Sequence, residues 1–106
     1  MNLKGSLPVL ILHTLAKGPH HGYHIAKEIK RQSQDVLDFK EGTLYPTLHG
    51  LEKQGYVEAH NEEENGRTRR YYRLTDAGHK ALTSEVQEWD RYSKAVNQIL
   101  KGTVSS

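Results

Sequence analysis

The sequence predicts a mainly α-helical fold that carries one small β-hairpin. Three observations predict it. Apolar residues recur at helical spacing in three separate segments before Gly55. The period then changes from helical to two on either side of an Asn65-Gly66 turn signal. A last stretch, after Thr75, spaces its apolar residues alternately four and three apart, as a long helix with a narrow seam does.

The first helix is expected over Leu3 to Leu15, with Leu7, Leu10, Ile11 and Leu15 as its apolar stripe and Val9 and Leu12 widening it. Ser6 stands before Pro8 and is placed to cap the start, because proline is welcome in a first turn. Lys17-Gly18-Pro19 ends the helix. The second helix is expected from His21 to Arg31. Tyr23, Ile25, Ala26 and Ile29 read as its inner face and Lys27, Glu28, Lys30 and Arg31 as its outer one. From Gln32 to Phe39 the pattern is mixed. Val36, Leu37 and Phe39 are expected to bury in an ordered connection.

The third helix is the informative one: Gly42-Thr-Leu-Tyr-Pro-Thr-Leu-His-Gly-Leu-Glu-Lys-Gln-Gly55. Leu44, Leu48 and Leu51 fall at i, i+4 and i+7 on one face. The opposite face carries Thr43, Pro46, Thr47, His49, Gly50 and Lys53, with no acid among them. Glu52 lies one position off that face. Such a surface can approach a polyanion without like-charge repulsion. Proline fits a first turn, so the helix is expected to start near Thr43, with the Thr43 hydroxyl as N-cap. Gly55 supplies the left-handed stop.

Tyr56 to His60 then alternates as a strand, and Thr68 to Leu74 is rich in β-formers and arginine. The polar run from Asn61 to Gly66 is expected as the connection, ending in the hairpin signal Asn65-Gly66. An isolated hairpin is marginal, so this one is expected to lean on the helices. Arg67, Arg69, Arg70 and Arg73 crowd into seven residues directly after Glu62, Glu63 and Glu64. Strand alternation gives Arg67, Arg69 and Arg73 one parity and sets Arg70 opposite. These arginines read as phosphate contacts, two or three of them reaching the ligand. The bland alternative is a hairpin whose arginines are paired with Glu58 or with Glu62 to Glu64.

Thr75 is expected to cap the final helix. Leu82, Val86, Trp89, Ser93, Val96 and Leu100 form its seam, flanked by Tyr92 and Ile99. About 26 residues at about 1.5 Å rise make roughly 39 Å, longer than a small three-helix head can cover. A second copy of the chain is the simplest partner for the remainder. Residues 1–74 are thus expected to form one compact unit, 75–101 a dimerisation helix and 102–106 a frayed tail.

Composition narrows the function classes. The chain has 106 residues, which allows one modest core, and a hydrophobic content of 35%, which leaves apolar surface for a partner or reflects a long exposed helix. Without cysteine, neither a disulfide framework nor a thiolate zinc site is possible. No apolar run is long enough to span a membrane, and no cleaved signal peptide is expected because helical patterning begins almost at once. A cytoplasmic protein is expected. Net charge is only +2, so the clustering of the arginines matters more than the total. No phosphate loop, nucleophile–base pair or paired carboxylates stand in a catalytic context, so neither an enzyme nor a bound cofactor is expected. His20 and His24 have the i, i+4 spacing of a helical zinc site, yet no third ligand follows at a sensible distance. No metal is expected, and His21 reads as a cap or a phosphate contact.

Three helices, a hairpin and a helix are the order of a winged helix-turn-helix. In that architecture the third helix enters the major groove and the hairpin lies along the backbone. Thr43, Thr47 and His49 offer hydroxyls and an imidazole to base edges, Pro46 and Lys53 share their face, and Tyr45 adds a ring or a hydroxyl. Arg67, Arg69 and Arg70, with the Tyr23 hydroxyl, are the expected phosphate contacts.

The third-helix run continued by Tyr56-Val57, the later run Gly66-Arg-Thr-Arg-Arg-Tyr-Tyr-Arg-Leu-Thr-Asp-Ala-Gly-His79, and His21-Gly-Tyr23 together resemble the PadR family of bacterial transcriptional regulators. The resemblance extends from about Leu3 to Leu100. It is to the short subfamily, in which one C-terminal helix replaces a full C-terminal domain. It implies a homodimer that binds a roughly palindromic double-stranded operator and usually represses a nearby gene. In some short members a tryptophan of the C-terminal helix lines a pore at the dimer interface and stacks on flat aromatic drugs. Trp89, within Glu88-Trp-Asp-Arg91, matches that position, with Tyr92 beside it. The competing roles are dimer packing alone for Trp89 and, for the whole chain, a winged-helix protein-interaction module or a metal-responsive repressor.

Overall fold

The computed structural model describes residues 5–102. The elements run α1 (Ser6–Leu15), β1 (His20–His21), α2 (Gly22–Gln32), α3 (Glu41–Lys53), β2 (Val57–Glu64), β3 (Arg67–Leu74) and α4 (Asp76–Leu100). Three helices and a three-stranded antiparallel sheet, ordered β1-β3-β2, form a winged-helix head from which α4 extends. The expected start of the first helix at Leu3 and most of the expected tail, 103–106, lie outside the described residues.

One core holds the head together. Leu7, Ile11, Leu12 and Leu15 of α1 meet Ile25 and Ile29 of α2 and Leu44, Leu48 and Leu51 of α3. Val57 and Tyr72 close it from the sheet. α1 is central, buried at Leu7, Val9, Ile11, Leu12 and Leu15, while Leu10 is only partly buried. Ser6 does not cap it. Ser6 is itself a buried helical residue, and Gly5 holds the cap position without a side-chain bond.

α2 begins one residue later than expected because His21 caps it. The His21 Nδ1 accepts from the His24 N–H at 3.2 Å. Tyr23 is not a core residue: its side chain is 63% exposed, on the outer side of the first turn. Leu37 and Phe39 pack on the core as expected, whereas Val36 is 78% exposed. The turn after α2 accounts for this. Gln34 and Asp35 both take positive φ, the Asp35 N–H bonds to the Lys30 carbonyl, and the chain reverses with Val36 at its outer edge.

α3 starts at Glu41, two residues before the expected Thr43. The Lys40 carbonyl accepts from both Thr43 and Leu44, so Lys40 is the cap residue and Thr43 already lies in the helix. Pro46 therefore falls in the second turn rather than the first. The carbonyl its missing N–H leaves free belongs to Gly42, which is exposed and open to water. α3 ends as expected at Gly55, with φ +82. The Tyr56 N–H bonds to Leu51 and the Gly55 N–H to Glu52, both at 3.0 Å, a Schellman stop.

The hairpin is longer than the alternation predicts. Asn61 to Glu64 are strand, paired with Arg70 to Arg67, and only Asn65 and Gly66 form the turn. Both have positive φ, 51° and 76°, as a two-residue hairpin turn of the primed type requires. That turn closes the register immediately and carries four polar residues into the ladder. The two-residue β1 pairs His20 with Tyr72 and His21 with Tyr71, and was not foreseen.

Thr75 caps α4, its hydroxyl accepting from the Gly78 N–H at 3.0 Å. Gly78 is buried against the end of α3. A Cβ there would stand 2.0 Å from the Tyr56 carbonyl oxygen. α4 leans on the head through Ala81 and Leu82, while Ile99 and Leu100 at its far end are exposed. Gly78→Ala is expected to destabilise the protein by about 1–3 kcal/mol through this backbone clash, read as a fall in the thermal unfolding midpoint. An unchanged midpoint would contradict the packing described.

Candidate nucleic-acid interface

Burial of Leu44, Leu48 and Leu51 sets the rotation of α3. It leaves Pro46, His49, Gly50 and Lys53 exposed and Thr43, Tyr45 and Thr47 half-buried at the margin. Thr47 donates its hydroxyl to the Thr43 carbonyl at 2.9 Å, so its methyl group and oxygen have a fixed direction. The expected outer face of α3 thus exists as one continuous surface, with Glu52 at its edge.

Beside it lies a cleft of about 320 Å³, formed where the start of α2, the middle of α3 and β3 meet. Its walls are His21, Gly22, Tyr23, Tyr45, His49, Arg69, Arg70 and Tyr72. Five residues singled out on three separate segments, Tyr23, Tyr45, His49, Arg69 and Arg70, therefore share one concave surface. Gly22 makes the close approach possible: a Cβ there would stand 2.7 Å from the Tyr45 ring and hydroxyl. Tyr45 is partly packed on the core, and burial, with Glu41 adding to it, pushes its hydroxyl above the usual tyrosine range. It is a neutral donor at any physiological pH.

The arginines are held by carboxylates. Arg70 reaches Glu52 of α3 at 3.1 Å, tying the wing to the third helix, and its guanidinium lies 6.0 Å from the Tyr72 ring centroid. Arg69 lies 3.4 Å from Glu64 and 3.1 Å from the His21 Nε2. Arg73 pairs with Glu58 across the hairpin. Arg67 stands exposed at the turn, opposite Glu64. The opposed parity of Arg70 holds, and so does the pairing of wing arginines with Glu58 and Glu64. Glu52 as a partner of Arg70 was not foreseen. It sits 18 residues away in sequence, so only the tertiary fold brings the pair together.

His21 sits between two demands. A neutral imidazole has one lone pair, and both the His24 N–H and the Arg69 guanidinium point donors at it. The cap uses the Nδ1 lone pair, which puts the proton on Nε2, facing Arg69. In that tautomer Arg69 is held by its ion pair with Glu64. Burial, then Arg69, then His24 lower the His21 pKa, and burial with His24 lowers that of His20. His20 and His24 stack at 4.3 Å between centroids, and no group of three metal-binding side chains exists among the described residues. A β1 two residues long has no periodicity to read, so the sequence signal for this corner is only the histidine cluster after Gly18-Pro19.

The seam of α4 borders a second, more apolar cleft of about 480 Å³, between α1, α2 and α4, walled in part by Val9, Leu10, Ile29, Leu37, Val86 and Trp89. The Trp89 and Tyr92 rings lie 6.0 Å apart, tilted by 37°. No helix among the described residues is long and apolar enough to cross a membrane.

A winged-helix head whose third helix and wing share an arginine-bearing cleft is the architecture of transcriptional regulators, and the relatives agree. Residues 11–84 match the model of the Transcriptional regulator PadR-like family. The transcriptional regulator Rv3488 of Mycobacterium tuberculosis is 38% identical over 86 residues, 81% of this chain and 78% of that one. A transcriptional regulator from Clostridium thermocellum superposes with a TM-score of 0.84 at 34% identity, over 91% of each chain. Bacillus subtilis PadR, solved in complex with operator DNA, matches with a TM-score of 0.70 at 27% identity, over 76% of this chain and 46% of that one. The chain belongs to the PadR-like family of transcriptional regulators.

The His21 cap carries a pH signature. With its folded pKa below the ordinary 6.5, the unfolded chain takes up the proton first as pH falls. Stability present above about pH 6.5 is thus lost on going down through the folded value. Asparagine caps equally well and does not titrate in this range. His21→Asn is expected to flatten the fall in thermal midpoint between about pH 7.5 and 5.5, measured against wild type. Parallel curves would show that His21 titration does not set the pH dependence of stability.

Proposed function

We propose that this chain is a homodimeric, sequence-specific DNA-binding regulator, most simply a repressor, acting in the cytoplasm by binding rather than by catalysis. The observation that carries the reading is the convergence of Tyr23, Tyr45, His49, Arg69 and Arg70 on one surface beside the exposed face of α3. α3 is the recognition helix, with Thr43, Tyr45, Pro46, Thr47, His49 and Lys53 toward the major groove. Tyr23, Arg67, Arg69 and Arg70 meet phosphates on its flanks. Residues 1–74 are the DNA-binding unit. α4, within 75–101, pairs two copies through Leu82, Val86, Trp89, Ser93, Val96 and Leu100. The partially exposed Val86, Trp89 and Tyr92 and the largely exposed Ile99 and Leu100 support this use of the helix. The pairing sets the two recognition helices about one DNA turn apart, roughly 34–36 Å. A flat aromatic effector stacked on Trp89, with Tyr92 beside it, releases DNA if it favours the other crossing of the two helices.

DNA binding is tested by titrating a duplex that the wild-type protein has enriched from a random library, across a range of salt. Binding is expected to weaken steeply with salt, and Arg69→Ala and Arg70→Ala are each expected to reduce the salt slope by about 1. No enrichment, or slopes indifferent to both arginines, would favour a winged-helix module for a protein partner. The effector is tested by Trp89 fluorescence against flat aromatic compounds. Quenching that parallels release of the duplex is expected, and fluorescence indifferent to the panel would leave Trp89 as a packing residue.

A further inference from the structure

The Thr75 hydroxyl has partners on two different elements. It accepts from the Gly78 N–H in the first turn of α4, and it donates to the Gly55 carbonyl at 2.6 Å. Gly55 is the positive-φ residue that ends α3. Next to it, the Thr75 N–H bonds to the Tyr56 carbonyl at 3.1 Å, and Gly78 lies so close to that same carbonyl that no Cβ fits between them. The end of α3 and the start of α4 thus share one hydroxyl, one backbone bond and one steric contact, although Gly55 and Thr75 stand 20 positions apart in the sequence, with the wing between them.

We propose that Thr75 is a positioning residue that couples the direction of the recognition helix to the direction of α4. This rests on the DNA-binding reading of α3 given above. A rotation of α4 about its start carries Thr75 with it. Through the bond to Gly55 it carries the end of α3 too, instead of being absorbed in a loose joint. Specific binding needs two recognition helices at a set angle and separation. Binding to arbitrary DNA needs only the arginines. Coupling therefore acts on the preference for the specific site over random DNA.

The chemistry of the hydroxyl provides the test. Serine can donate and accept as threonine does. Aspartate still accepts from the Gly78 N–H and caps α4, but it cannot donate to the Gly55 carbonyl and sets a negative oxygen against it. The full-length wild type, Thr75→Ser and Thr75→Asp are compared on the enriched duplex and on a random duplex of equal length at one salt concentration. Thermal midpoint and helical content are read alongside. Thr75→Ser is expected to match wild type, and Thr75→Asp to stay folded while the ratio of the two affinities falls about tenfold. A Thr75→Asp ratio unchanged from wild type overturns the proposal. So does an equal loss on both duplexes, which is a charge effect alone, and so does an equal loss of the ratio in Thr75→Ser. If Thr75→Asp does not fold, amide hydrogen exchange of wild type with and without the duplex decides. Slowing at Gly78 and His79 together with Gly55 and Tyr56 supports coupling, and slowing confined to α3 and the wing overturns it. A wild type with no preference between the duplexes refutes the sequence-specific reading of α3 and the coupling with it, whereas a preference that Thr75→Asp retains refutes the coupling alone.

Discussion

Everything on the candidate interface depends on the burial of Leu44, Leu48 and Leu51 against α1. Those three side chains are almost wholly removed from water, and burying a leucine is worth roughly 1.5–3 kcal/mol. A helix held along a single stripe has one rotation that keeps all three inside. That rotation turns Pro46, His49, Gly50 and Lys53 outward and leaves Thr43, Tyr45 and Thr47 at the margin. The same core places the other walls of the cleft. Ile25 anchors α2 and so aims Tyr23, while Tyr72 anchors β3 and so aims Arg69 and Arg70. The polar surface is a by-product of apolar packing on the opposite faces of the same elements.

Electrostatics then decides how that surface behaves without a ligand. Arg69, Arg70 and Arg73 are paired with Glu64, Glu52 and Glu58. Exposed pairs of this kind contribute little to stability and are screened by salt. Their consequence is that an anion arriving at Arg69, Arg70 or Arg73 has to displace a carboxylate rather than meet a bare guanidinium.

The parts readable in the sequence are those with local causes. The leucine stripe of α3, the stop at Gly55, the primed turn at Asn65-Gly66 and the cap at Thr75 each depend on a few neighbouring residues, and each stands in the structure as expected. The misplaced features have causes that are not local. α3 begins at Glu41 because the Lys40 carbonyl gathers two N–H groups, which a proline five residues later does not announce. β1 exists only because β3 offers it an edge. Val36 is outside because Gln34 and Asp35 adopt positive φ without being glycines. Of the candidate site, the face of α3 was legible as a helix surface. Its union with Tyr23, Arg69 and Arg70 needed the tertiary fold, and so did the carboxylate partner of Arg70.

Two copies of the chain that present two recognition helices to successive major grooves would leave a double footprint on DNA. Hydroxyl-radical cleavage of the enriched duplex is expected to show two protected patches on one face of the DNA, with their centres about 10 base pairs apart. A single patch, or protection spread evenly along the duplex, would contradict that arrangement.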